Sequence, residues 1–201
     1  LNVPMVWRHV YPGNVSLFGA NHDELPLINF GIRIRGGMLL DAPDKIGVSN
    51  LISDMMMEGT VSKTPVELEE AIDALASSIS MFTSKETIRM EVTCLKRNFD
   101  ATLALVEEIL FEPRWDEKEF RRIKAETVEG INRRAAIPST IASNIFNRLN
   151  YGDHILANAT MGTEASVAAI ELENDATSDK LGGCRRAWPI KSHSTSAISR
   201  C

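Results

Sequence analysis

The stretch from Gly47 to Thr60, Gly-Val-Ser-Asn-Leu-Ile-Ser-Asp-Met-Met-Met-Glu-Gly-Thr, constrains the fold of this chain more than any other. At helical period Val48, Leu51, Ile52, Met55 and Met56 fall on one broad apolar side, while Asn50, Ser53, Asp54 and Met57 fall toward the other. A helix patterned in this way must bury one face in a core. Gly59, just past the last periodic residue, supplies the left-handed conformation in which helices commonly stop. The consecutive methionines Met55, Met56 and Met57 read as core filler, since methionine at helical spacing fills irregular gaps more often than it forms a binding surface or a thioether site.

Around this helix the pattern switches between a period of two and a helical period. Val3 to Phe18 is extended and broken at Pro12-Gly13-Asn14, and Asn21 to Pro26 is a polar turn. From Leu27 to Arg35, Ile28, Phe30, Ile32 and Ile34 point one way and Asn29, Gly31, Arg33 and Arg35 the other, which is a half-buried strand ended by Gly36-Gly37. Thr64-Pro65-Val66-Glu67 opens a capped helix that runs to about Ala76 and buries Leu68, Ile72 and Leu75. Ser77 to Ser84 and Thr87 to Leu95 form an antiparallel hairpin, with Ile88, Met90, Val92 and Cys94 on one face of its second strand. Asn98 to Leu110 is an amphipathic helix with Leu103, Leu105, Val106, Ile109 and Leu110 as its apolar side. Asp116 to Glu119 is a capping box for a long helix through Phe120, Ile123, Val128 and Ile131. Pro138 interrupts that helix, and Ser139 recaps one continuing through Ile141, Ile145, Phe146 and Leu149. A short helix follows from Ala165 to about Leu172. Segregated strands and helices imply an α+β fold, an antiparallel sheet with helices packed on one side. Residues 1–175 form the domain, and 176–201, poor in aliphatic residues, an irregular or disordered tail.

A chain of 201 residues makes one domain or at most two small ones and can bury roughly 70% of its unfolded surface. The net charge of −5 and the scatter of basic residues exclude a nucleic-acid face; the pairs Arg121-Arg122, Arg133-Arg134 and Arg185-Arg186 read as solvated helix or tail positions. Cys94, Cys184 and Cys201 form neither a C-x-x-C pair nor an even framework, so no zinc knuckle or disulfide scaffold is indicated, and Cys94 reads as a small core hydrophobe. His9, His22, His154 and His193 lie far apart without Cys, Asp or Glu at metal-ligand spacing, and read as surface or turn histidines. There is no membrane-length apolar run, no Gly-x-Ser-x-Gly elbow, no phosphate loop and no dinucleotide fingerprint. A Ser-His-Asp arrangement, recognised by geometry and not by order, stays open. No basic-then-apolar segment opens the chain, but a sequence starting at Leu1 says nothing by this about its compartment.

The frame Gly-x-x-x-Leu-x-x-x-Met-x-x-x-Gly-Thr of residues 47–60 does not stand alone. Glu24-Leu25-Pro26, a strand and Gly36-Gly37 precede it; a long charged helix, Pro138, Leu149-x-Tyr151-Gly152 and a helix after Gly162-Thr163-Glu164 follow. Together these resemble peptidase family M16, the insulinase, pitrilysin and mitochondrial processing peptidase-like proteins, over roughly Val3 to Leu172. Active members carry His-x-x-Glu-His in this helix, two histidines for zinc and a glutamate as general base. Here Asn50 and Asp54 stand at the histidine positions and Ser53 at the glutamate. The family's third ligand, a glutamate of a later helix, falls at or next to Gly130, with Glu126 and Glu129 nearby. Gly152-Asp153-His154 matches a Gly-x-His-Pro-Tyr turn, with Ile155-Leu156 in place of the last two residues.

A catalytic zinc site needs three ligands and an open position. Asn50 is a poor ligand, Ser53 takes no proton at neutral pH and Asp54 offers one carboxylate, so no metal and no catalytic residue is expected in this chain. Asn50, Ser53, Asp54 and Glu129 are the candidate cavity or substrate-facing residues; a merely solvated helix face is the other reading of Asn50, Ser53 and Asp54. By resemblance, M16 units consist of two homologous halves, each an antiparallel sheet with helices on one side, and close like a clamshell around peptides. The chain resembles a non-catalytic half whose partner, a homologous half or subunit with an intact motif, supplies the zinc. The resemblance also allows a scaffold subunit of a respiratory complex, or an active zinc peptidase whose ligands align differently, and points to the bacterial periplasm or the mitochondrion.

Overall fold

The computed structural model describes residues 5–172 apart from positions 14 and 23. The expected tail over 176–201, with His193, Cys184, Cys201 and Arg185-Arg186, lies outside the described residues, as do Val3, Asn14 and Asp23 of the expected opening segment and turns. The order is β1 (Val6–Tyr11), β2 (Val15–Ala20), β3 (Leu27–Arg35), α1 (Val48–Met56), α2 (Pro65–Ala74), β4 (Ser78–Thr83), β5 (Thr87–Leu95), α3 (Phe99–Phe111), α4 (Glu117–Ala135), α5 (Pro138–Tyr151) and α6 (Glu164–Ala168).

The fold is α+β. The strands form two antiparallel sheets, a β1–β2 hairpin and a three-stranded sheet in the order β3-β5-β4. Register follows side-chain alternation: Ile32 and Met81 both stand opposite Met90, so the apolar residues of all three strands share one face. That face carries Ile34, Ile79, Met81, Ile88, Met90 and Val92, which cluster with Val48, Leu51, Ile52, Met55 and Met56 of α1 and Leu105, Val106 and Ile109 of α3. The opposite face, Asn29, Arg33, Arg35, Glu91 and Thr93, is exposed. The helices therefore cover one side of this sheet.

α1 lies at the centre, with Leu51, Met55 and Met56 fully buried. Gly47, with φ 110°, leads into the helix and has no side chain to cap it. Asp41 does so instead: its carboxylate accepts the Gly47 N–H at 2.9 Å, the Ser49 N–H at 3.1 Å and the Ser49 hydroxyl. Burial raises the Asp41 pKa, and these hydrogen bonds oppose the rise. Ser49 and Ser53 are each only 2% exposed, so α1 is enclosed on more than its apolar side.

Several boundaries differ from the sequence expectation for local reasons. Asp116 accepts the Lys118 and Glu119 N–H groups, but Glu119 turns to Arg122 and does not complete a capping box. Ile137, not Ser139, is the cap residue of α5, because Pro138 lacks an N–H and its fixed φ suits the first helical position. Thr102 is buried in α3 where Leu103 is only half-buried. Ile141, Ile145, Phe146 and Leu149 of α5 are exposed and take no part in the core of the described residues. α6 is shorter than expected, capped by Thr163, and its Ser166 hydroxyl donates to the Ile46 carbonyl at 2.7 Å, fixing it beside the start of α1.

Candidate functional site

Where α1 and α4 meet over β4, the described residues enclose a cleft of about 680 Å³. α1 contributes Ser53, Asp54, Met57 and Glu58, and β4 contributes Met81. α4 contributes Ile123, Glu126, Thr127, Gly130, Arg133 and Arg134, and Ile137 and Met161 close the far side. The α4 spacing of three, one, three, three and one is one helical face turned toward α1.

The cleft takes in Ser53, Asp54 and Gly130 from the sequence-derived candidates and leaves out two others. Asn50 is not in its lining; its amide donates to the Asp54 carboxylate at 2.8 Å along the helix. Glu129 is exposed, is not in the lining and pairs with Arg133 at 2.7 Å. One residue before the inward-facing Gly130, it sits about 100° around the helix. Glu126, Thr127, Arg133 and Arg134 are cleft residues that the sequence reading did not select, although counting by three and four from the buried Ile123 reaches them.

The motif positions are tied into the fold. The Ser53 hydroxyl lies 2.5 Å from that of Thr83, and both reach the Ser49 carbonyl, at 3.2 and 2.8 Å, bracing α1 against β4. Among the described residues no base bonds the Ser53 hydroxyl, and its hydrogen bonds run to Thr83 and the Ser49 carbonyl. The Asp54 carboxyl is raised to about 6 by burial and by the charges of Glu58 and Glu126, against the hydrogen bond from Asn50. Arg122 bridges Glu58 at 2.6 Å, Glu119 at 2.7 Å and Glu126 at 2.9 Å, tying the end of α1 to α4, and these partners raise its pKa further.

These donors do not fit zinc. Two of the three carboxylates nearest the motif, Glu58 and Glu126, are already shared with a guanidinium, the Asn50 amide is spent on Asp54, and no histidine among the described residues lines the cleft. Among the described residues no group of three or more His, Cys, Asp and Glu side chains is placed to hold a metal ion.

Two expected results follow from this geometry. An Asp whose native pKa is raised from 3.8 to about 6 binds its proton more tightly when folded, so its contribution to stability falls as pH rises across that interval. Asp54→Asn removes that slope and should stabilise the domain at pH 7 by about 1–2 kcal/mol, less than the full shift implies because the group is partly exposed. Urea titrations of both proteins at pH 4.5 and 6.5 measure it. At Gly130 an added Cβ would approach only the mobile Met161 methyl group, at 3.3 Å. Gly130→Ala should therefore stabilise α4 by about 0.5–1 kcal/mol, read as a higher denaturation midpoint.

The chain belongs to peptidase family M16: the family described as insulinase (peptidase family M16) matches residues 21–164. It is 25% identical over 165 residues to the "uncharacterized zinc protease YmxG" of Bacillus subtilis, covering 82% of this chain and 40% of that protein. It is 23% identical over 158 residues to the "non-peptidase homolog YmxG" of Helicobacter pylori, covering 79% and 36%. Its fold matches the crystal structure of a peptidase M16 inactive domain from Pseudomonas fluorescens, with a TM-score of 0.79 at 21% identity over 84% of this chain and 41% of that one. A protease from Helicobacter pylori matches with a TM-score of 0.76 at 15% identity. The chain thus spans about 40% of the length of the relatives it matches.

Proposed function

We propose that this chain is a non-catalytic M16 half that pairs with a half carrying an intact His-x-x-Glu-His helix and helps to bind and enclose peptides for hydrolysis there. The observation that carries this reading is the cleft at the degenerate motif, walled by Ser53 and Asp54, where the described residues present no zinc donor set. Its role is to position peptide and exclude water, while the partner holds the zinc that activates water for attack. The relative named a non-peptidase homolog and the neighbour described as an inactive domain support the non-catalytic part of this reading.

The test is affinity purification of the tagged chain from its source extract, with mass spectrometry of what it retains. A stoichiometric partner bearing the intact motif is expected, with hydrolysis of an unfolded peptide by the pair that a chelator abolishes. Chelator-sensitive hydrolysis by the purified chain alone overturns the proposal, as does its recovery without any such partner.

A further inference from the structure

The charges of the cleft are sorted along its length. At one end stand Asp54, Glu58 and Glu126. Arg122, which lies outside the lining, is shared among Glu58, Glu119 and Glu126, so this end keeps a surplus of negative charge. At the other end stand Arg133 and Arg134. Arg133 is paired with the outward Glu129, while Arg134 has no carboxylate within ion-pair distance among the described residues. On α4 the interval between the two ends is Thr127 and Gly130, faced by Met161, while Met57, Met81 and Ile123 complete the apolar and adaptable part of the lining.

From Glu126 to Arg133 and Arg134 is seven or eight residues of one helix, about 10–12 Å at ~1.5 Å per residue. An extended peptide advances ~3.3 Å per residue, so this interval is the span of about three or four residues. A free peptide of that length carries an ammonium group at one end, a carboxylate at the other and side chains between, the same order of chemistry as the cleft. Guanidinium groups suit a planar carboxylate because their N–H donors match its two oxygens. Arg133 and Arg134 also answer the negative pole at the end of α4.

We propose that this cleft binds short free peptides of three or four residues by both termini, the amino group at Asp54 and Glu126 and the carboxylate at Arg134 with Arg133. The proposal rests on the peptide-enclosing function above and narrows its ligand to fragments the size of hydrolysis products.

The experiment is isothermal titration calorimetry on the 201-residue chain. The probes are the tetrapeptide Ala-Leu-Leu-Ala in free, N-acetylated and C-amidated forms, and a twenty-residue peptide containing the same four residues with both termini blocked. The free tetrapeptide should bind roughly tenfold or more tighter than either capped form, the size of one lost charge-assisted contact. In Arg134→Gln, whose exposed position leaves folding intact by circular dichroism, the free and amidated forms should bind alike while acetylation still weakens binding. If the blocked long peptide binds as well as the free tetrapeptide, the terminal-capture proposal falls and peptide enclosure stands. If no probe binds, the terminal-capture proposal falls, while enclosure by the assembled pair is decided by co-purification and hydrolysis by that pair.

Discussion

Replacing Gly162 by alanine is expected to destabilise the domain by about 3–5 kcal/mol, the largest effect of any single-methyl change considered for this chain. Gly162 has φ 81°, a conformation that a side chain disfavours by about 1–2 kcal/mol. Strain is the smaller part. A Cβ there would lie 2.1 Å from the Ile46 carbonyl oxygen and 2.8 Å from both the Ile46 carbonyl carbon and the Ser166 hydroxyl. Backbone of the segment leading into α1 cannot yield as a side chain can, so residues 161–166 must move away from it. That movement breaks the hydrogen bond from Ser166 to Ile46, leaving buried polar groups without partners, and withdraws Met161 from the cleft. Gly152→Ala is the matched control: its φ is 57° and nothing lies within 4 Å of the added Cβ, so only the conformational cost of about 1 kcal/mol applies. Guanidinium denaturation of both variants measures the difference, and a Gly162→Ala cost no larger than that of Gly152→Ala would contradict this packing of α6 on α1.

Gly162 also illustrates what a sequence withholds. The central helix, β3, the β4–β5 hairpin and the capping box at Thr64 and Glu67 were legible because each follows from short-range rules, apolar period and cap chemistry, acting within ten residues or so. The contacts that hold these elements together are not of that kind. Ser166 to Ile46 spans 120 residues and Thr83 to Ser49 spans 34, and nothing in local pattern announces either. Nor does a local pattern distinguish a hairpin that joins the main sheet from one that stands beside it, and β1–β2 stands beside it among the described residues.

The candidate site divides along the same line. Its location on α1 was legible because a buried apolar spine leaves one narrow polar edge, and a polar edge next to β4 forms a wall whichever residues it carries. Of the α4 positions read near the motif, Gly130 and Glu126 line the cleft and Glu129 does not, since a single position turns a helical side chain through about 100°. The substitutions at the motif also have a physical consistency. An unliganded His-x-x-Glu-His would leave three titratable groups in a half-buried wall, whereas Asn50 satisfies Asp54 and Ser53 satisfies itself against β4. The polar groups of this wall are thereby committed to hydrogen bonds within α1 and between α1 and β4.

Glu108→Ala is expected to cost about 2–3 kcal/mol at pH 7, although the residue lies far from the cleft. Glu108 of α3 collects the loop that leaves α1: the Lys63 ammonium at 2.6 Å, the Thr60 hydroxyl at 2.5 Å and the Ser62 hydroxyl. Thr60 is fully buried, and its backbone bridges to Pro113, so truncation strands a buried hydroxyl and a partly buried ammonium together. Burial by itself pushes the Glu108 carboxyl up, but the hydrogen bonds from Lys63, Ser62 and Thr60 and the Lys63 charge outweigh it and hold the group at about 2, against 4.5 when unperturbed. A depressed carboxylate stabilises the fold fully above its unfolded value, and that stabilisation is lost as pH falls from about 4.5 toward about 2. The slope is opposite in sign to that of Asp54 and occupies a lower interval, so acid denaturation separates the two. Wild-type stability, followed by urea titration from pH 2.5 to 7, should fall steeply below pH 4.5, and Glu108→Gln should flatten that limb while leaving the change between pH 4.5 and 6 intact. A Glu108→Gln protein with an unaltered acid limb would show that other carboxylates govern it and that the clamp on the α1 exit is weaker than its geometry implies.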